Sequence, residues 1–463
     1  MKQRTTSDKS PPTVPTLVRV AGALTLMVWA GCTGPAPESE AANETGINPV
    51  ALLEWNEAVL AAAEEEDGFL TLKGLRTVTM MHVAIWDVLA ENDPDLESFV
   101  QPTMDETTTL ETQGPGTPSL AAHRAAYEVA VASFPDRSEA FEALYARLAG
   151  RPLETVAPTA EDRLGSSIAR TVLAHRADDG WDGDAEYTWH PMGPGVYAEF
   201  DEHSGTPKGF VFGAGWAKAR PFVMPSPDHF RAPPPPEIDS DAYTTAFDEV
   251  KALGADQSSL RTEDQAHLAM WWKDFAENSH NRLARQLVVE HDLDGIRASL
   301  LLARLNVAIY DAYVGVFDNK FHYNHWRPYT AIRWAQHDGN PATVANPEWT
   351  NLHDHTYAFP SYPSAHGTAC SAAMTVLGNT FGEETQFTMT TATVDRAGPF
   401  SGKLNMDPPT RRFRSFREAA EECGLSRLYL GIHFRYDSEE GVELGRRIGR
   451  YVLDHTPSLP TSR

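Results

Sequence analysis

The sequence predicts an all-α protein in two helical regions joined by a long irregular connection. Three observations carry this: amphipathic patterning fills residues 47–95 and 119–177, a Gly-, Pro- and aromatic-rich stretch follows from Asp178 to about Asp239, and helical patterning resumes from Asp241 to His455. With 463 residues, 41% of them hydrophobic and 22% charged, the chain is long enough for one large or two moderate cores.

The first element is a leader. Lys2, Arg4, Lys9 and Arg19 precede an apolar run, Val20 to Ala30, that is short for a membrane span and ends in Trp29-Ala30-Gly31-Cys32. This resembles a bacterial lipoprotein cleavage box with Cys32 as the lipidated residue; an ordinary export signal or an uncleaved anchor is the alternative. We therefore expect an export or lipoprotein signal over 1–32, a flexible acidic tether over 33–46, and a place in the bacterial cell envelope, with membrane contact only through a lipid anchor.

Residues 47–180 are expected to form an N-terminal helical bundle from the segments ALLEWNEAVLAAAEEE, LKGLRTVTMMHVAIWDVLAE, AAHRAAYEVAVASF, EAFEALYARLAG and RLGSSIARTVLAHRA. Gln101 to Pro118 interrupts them as a Thr/Gly/Pro-rich loop, and Met80, Met81 and His82 fall on a helical pattern as core. Residues 181–240 are the connection. The DDGWDGD run at its start lacks EF-hand spacing and reads as a capped, solvated acidic turn. His353-Asp354-His355 has no third ligand at a telling spacing and reads as a solvated loop.

In the C-terminal bundle, 241–457, a helix from about Ser299 to Asp318 leads to Lys320, and Pro328 is placed as the first residue of the next helix. Ser364 reads as the N-cap of a helix over Ala365 to Leu377. Arg427 and His433, six residues apart, do not share a straight helix face, so a break near Gly431 is expected, with Asp437 and Glu440 resembling the next helix start. Asp311, Trp271, Trp272 and Trp326 read first as structural residues.

Three blocks in this bundle supply the chemistry: KFHYNHWRP (Lys320 to Pro328), PSAH (Pro363 to His366) and SRLYLGIH (Ser426 to His433). A tetrahedral dianion taken out of water needs near-complete charge compensation, which Lys320, Arg327 and Arg427 offer. Ser364 and the Ala365 amide add donors at a helix start, where the first N–H groups are unpaired. His366 and His433 divide two roles between them, binding the central atom and exchanging protons.

In this order and spacing the blocks resemble the signature shared by vanadium-dependent haloperoxidases and type 2 phosphatidic acid phosphatases, with Ala365 where the family has glycine. The similarity extends to segments such as LLEWNEAV, AHRADDGW and GIHFRYD. It implies two helical bundles of the haloperoxidase type with the active site in the C-terminal one, and vanadate as cofactor on His433, cradled by Lys320, Arg327, Ser364, Ala365 and Arg427. His366 would be the acid–base residue. By similarity to the fungal chloroperoxidases, Asp274 would orient Arg427 and Phe359 would stand beside vanadate, while Phe317 occupies a tryptophan position.

The resemblance implies a peroxidase oxidising halide with hydrogen peroxide to hypohalous acid, with an organic acceptor as a further partner. A phosphatase working through a phosphohistidine at His433, and a non-catalytic oxyanion-binding lipoprotein, are the alternatives. Acidic residues outnumber basic ones 64 to 39, a formal charge of −25, so no basic stripe offers a nucleic-acid partner. Mean hydropathy is −0.38, and no spanning segment is expected after the leader, unlike the membrane phosphatases. Cys370 and Cys423, each four residues from a site residue, read as buried thiols with a disulfide as the alternative.

Overall fold

The computed structural model describes residues 47–67, 72–100, 117–153, 158–183, 186–198, 211–398 and 401–460. The leader and tether, Cys32 included, lie outside them. Among the described residues are thirteen α-helices. The first five are α1 (Pro49–Asp67), α2 (Leu72–Glu91), α3 (Pro118–Ser133), α4 (Ser138–Ala149) and α5 (Ala160–His175). The others are α6 (Asp241–Leu253), α7 (Glu263–Trp271), α8 (Ala276–Glu290), α9 (Gly295–Tyr323), α10 (Pro328–Trp334), α11 (Ala365–Phe381), α12 (Phe416–Tyr429) and α13 (Arg435–Asp454).

The centre is α9. Its 29 residues are long and apolar enough to span a membrane, yet 89% of its most apolar window is buried inside the protein, so it is a core helix. It packs against α2 from the first region and against α11 and α13 from the second. Helix α2 is itself buried at every residue from Gly74 to Ala90, including Met80, Met81 and His82. Three of its polar side chains are matched inside: Thr77 and Thr79 hydroxyls donate to the Lys73 and Leu75 carbonyls, and Asp87 accepts the Phe99 and Val100 amides.

Helices α11 and α13 approach closely because α13 turns glycines toward α11 at four-residue intervals. A Cβ on Gly445 would come within 2.1 Å of the Thr368 carbonyl oxygen, and one on Gly441 within 2.6 Å of that of Ser364. The small stripe brings the α11 N-terminus and the α13 N-terminus to one place.

The connection is pinned to α9 at defined points. Asp311 accepts the amides of Phe222, Val223 and Met224, and Asn319 Oδ1 accepts that of Ala232. The turn at 178–183 differs from expectation at Asp179, which is fully buried because Arg76 and Arg176 both donate to its Oδ2 at 2.7 Å. In the His353–His355 loop the two histidines are also buried, at 3% and 7% exposure, while Asp354 between them is exposed.

Two antiparallel ribbons interrupt the helices: β1 (Phe387–Thr390) with β4 (Thr410–Phe413), and β2 (Thr393–Asp395) with β3 (Lys403–Asn405). We expected helical patterning here. Phe387 and Met389 alternate inward in β1 and carry the strand period instead.

Candidate active site

The structure brings the three blocks to one buried place. Lys320, in the last turn of α9, is 0% exposed and donates to the carbonyls of Pro360 (3.0 Å) and Ser361 (2.7 Å). The helix ends three residues later because Asn324 adopts φ 48°, the left-handed cap. Arg327 is the N-cap of α10, with Pro328 at N1 as expected. Its Nε donates to the Phe359 carbonyl, and its Nη1 donates to the Ile432 carbonyl, both at 2.9 Å.

Ser364 is the N-cap of α11: its Oγ accepts the Gly367 amide at 3.3 Å, while its own amide donates to the Asp437 carbonyl at 2.8 Å. Ala365 is the first helical residue, and it is absent from the positive-φ residues. The family's glycine is therefore not required for backbone reasons here.

His433 sits in the link between α12 and α13, after Gly431 at φ 79°. The sequence placed the break correctly, but α13 begins at Arg435, with Asp437 in its first turn. Asp437 is a functional position that the sequence reading missed, although its place four residues after His433 was visible. Its Oδ2 accepts His433 Nδ1 (2.9 Å), the Phe434 amide (3.1 Å) and the Ser361 hydroxyl. The proton is thus held on Nδ1, and the Nε2 lone pair is turned to Arg327 Nη1 at 3.2 Å.

Arg427, in the last turn of α12, is held by the Trp272 carbonyl at Nη2 and by the Ser426 hydroxyl, 3.0 Å from Nε. Asp274 does not orient it. That carboxylate pairs with Arg282 and, with Lys273, Asp395 and Lys403, lines a separate cavity of about 390 Å³ that no cradle residue enters. The Trp272 carbonyl takes the expected part, and it also stands beside the His366 ring, where it opposes the lowering by burial. His366 Nε2 is buried without a hydrogen-bond partner.

Aromatic rings close one side. Phe359 lies over both Lys320 Nζ (5.1 Å) and Arg327 Cζ (4.7 Å), and Phe317 packs on Phe359 with ring centroids 5.3 Å apart. Phe212 and Trp216, from the connection, pack on Phe317 in turn. Trp326 is fully buried and stacks on Tyr243, so it is a packing residue.

Electrostatically the site wants an anion. Burial lowers Lys320 well below its ordinary value, with Arg327 adding repulsion, and pulls Arg327 and Arg427 down to about 10. Burial also lowers both His366 and His433, assisted by the neighbouring cations. Burial raises Asp437, against the opposing effects of Ser361, Lys320 and Arg327. Three cations thus face one carboxylate, and Arg327 Nη2 has no protein partner.

The segment 300–461 matches the family model of the VCPO second helical-bundle domain. No curated protein matches the chain. Among solved structures, the chain is similar to the first bacterial vanadium-dependent iodoperoxidase: 23% identity, 90% of this chain and 99% of that one covered, TM-score 0.68. An apo-type bacterial vanadium-dependent chloroperoxidase gives 16% identity, 82% and 92% coverage and a TM-score of 0.64. A holo-type one gives 17%, 90% and 95%, and 0.62. The chain has the vanadium haloperoxidase fold, and the segment that carries its cradle, residues 300–461, belongs with the VCPO second helical-bundle domains.

Proposed function

We propose that the protein is a vanadate-dependent haloperoxidase that oxidises halide with hydrogen peroxide to hypohalous acid. The observation that carries this is the buried cradle of Lys320, Arg327 and Arg427, which keeps two positive charges in excess after Asp437, with Arg327 Nη2 and His366 Nε2 unpartnered. Vanadate balances that excess and brings acceptor oxygens to the free donors. When bound, it supplies a Lewis-acidic centre that activates hydrogen peroxide toward halide without a change of its own oxidation state.

The chain's residues do the rest. Lys320, Arg327 and Arg427 neutralise the oxyanion, and the Ser364 hydroxyl and Ala365 amide add uncharged donors. His433 offers Nε2 as the ligand atom, since Asp437 holds the proton on Nδ1. His366, whose Nε2 is buried and unpartnered, accepts and returns a proton. Phe359 and Phe317 keep water from that side of the cations.

The His433–Asp437 pair also favours a second reading, attack of an Asp-backed imidazole on a phosphate ester. Similarity to peroxidase structures over 90% of this chain supports the first. A paired assay on protein lacking residues 1–32 separates them. Bromide oxidation that depends on vanadate and peroxide, with negligible cleavage of a chromogenic phosphate ester, is the expected result; ester hydrolysis inhibited by vanadate would establish the phosphatase.

A further inference from the structure

We propose that Cys370, Cys423 and His366 form a site for one thiophilic divalent cation, of the zinc and cadmium class, when the disulfide between the two cysteines is reduced. The disulfide joins α11 to α12, with Cα atoms 6.7 Å apart. Cys370 lies one turn after His366, and Cys423 one turn before Arg427. Among the described residues, these three make the only group of three or more His, Cys, Asp or Glu side chains poised around a common point, their ligand atoms all within 4.8 Å of one another.

The dimensions suit a tetrahedral cation. Bond lengths of about 2.3 Å to sulfur and about 2.0 Å to nitrogen put the two sulfurs about 3.8 Å apart, and each about 3.5 Å from the nitrogen. Once the sulfur–sulfur bond is opened, the side chains need shifts on the order of 1 Å, within rotamer adjustment. Histidine ligands of zinc donate their other ring N–H to a carbonyl or carboxylate, and the Trp272 carbonyl stands beside the His366 ring. Its Nε2 is buried and without a partner, so no competing bond must break.

Charge removes the remaining objection. A dication beside Lys320, Arg327 and Arg427 would be repelled, but two thiolates make the complex neutral. The chemistry balances: a dithiol or phosphine reductant passes two electrons to the disulfide, two protons complete the thiols, and cation binding releases those two protons. Three ligands leave a fourth position for water. The disulfide therefore keeps such cations off His366, and its loss converts the same three residues into a trap that takes the imidazole out of proton transfer.

Cadmium reports this without any turnover assay. The folded protein is reduced with a phosphine, freed of it under argon, and titrated with Cd²⁺ while thiolate-to-cadmium absorption is followed in the ultraviolet. One equivalent should saturate the band in reduced protein and none should appear in unreduced protein. C423S should abolish it, and H366A should weaken binding at least tenfold. The proposal is overturned if reduced protein with intact helical circular dichroism shows no band, or if H366A titrates like the wild type. It is equally overturned if the folded chain never yields two thiols, or unfolds when it does. None of these outcomes depends on halide oxidation, so failure here and failure of the haloperoxidase reading are separately visible.

Discussion

Asp437→Asn tests the cradle at its least obvious member. The substitution keeps size and an acceptor oxygen but removes the charge received by His433 Nδ1, the Ser361 hydroxyl and the Phe434 amide. A hydrogen bond to a charged group is worth about 1 kcal/mol more than a neutral one, so the two side-chain bonds lose about 2 kcal/mol together. That is roughly 30-fold in affinity, inside the ~10- to 100-fold range for partners standing behind a ligating histidine. We expect orthovanadate to bind D437N about 30-fold more weakly by titration calorimetry. Ser361→Ala, which removes one donor, should weaken it about fivefold. If folded D437N binds vanadate within twofold of wild type, Asp437 does not position His433 and the ligand assignment loses its support.

Glu277 gives a pH test. It is buried at the start of α8, accepts the Tyr313 hydroxyl at 2.8 Å, and burial pushes its pKa from 4.5 up to about 7. A folded value above the unfolded one gives stability that is complete below about pH 4.5 and lost as pH rises through about 7, at most about 3 kcal/mol. Between pH 5 and 8.5, urea denaturation should therefore show wild type losing stability relative to Glu277→Gln; parallel pH profiles would refute it. Phe359→Ala removes the ring over Lys320 and Arg327 and should weaken vanadate binding by about 1–2 kcal/mol, 5- to 30-fold, while Phe359→Leu, which keeps the apolar cover, should retain part of it. Ala365→Gly should leave vanadate affinity within about threefold because Ala365 needs no left-handed backbone; a tenfold gain would show that its methyl obstructs the site.

What could be read from the sequence was what is chemically local. Ser364 at a helix N-cap, Pro328 at N1 and the break at Gly431 are each fixed by a residue's own capping or backbone chemistry, and the structure has all three. The holder of Arg427 was not legible because it is a backbone carbonyl, that of Trp272, and a carbonyl has no sequence signature. Asp274, two residues further on, drew the assignment by similarity to the fungal chloroperoxidases, but its carboxylate pairs with Arg282 instead. Asp437 was visible but was taken as a helix start; it is both, since a first-turn carboxylate four residues after His433 can reach back to the imidazole. The disulfide spans 53 residues and depends on α11 and α12 lying side by side, which spacing alone does not establish. The β1–β4 ribbon was missed for the opposite reason: its alternation is short, and a helical expectation on both sides absorbed it.

The position of α9 bears on how the protein comes apart. The 300–461 segment begins inside this helix, five residues after its start at Gly295, so the homologous segment is not a severable part. Excision there would remove the first turn and uncover Leu300, which packs with Trp86 and Ala90 of α2. The helix that ends in Lys320 is thus shared by both layers, and its central amides should exchange with deuterium only through whole-protein opening. Cradle and scaffold then have one lifetime: an agent that dissociates α2 from α9 dismantles the cradle without touching a residue of it.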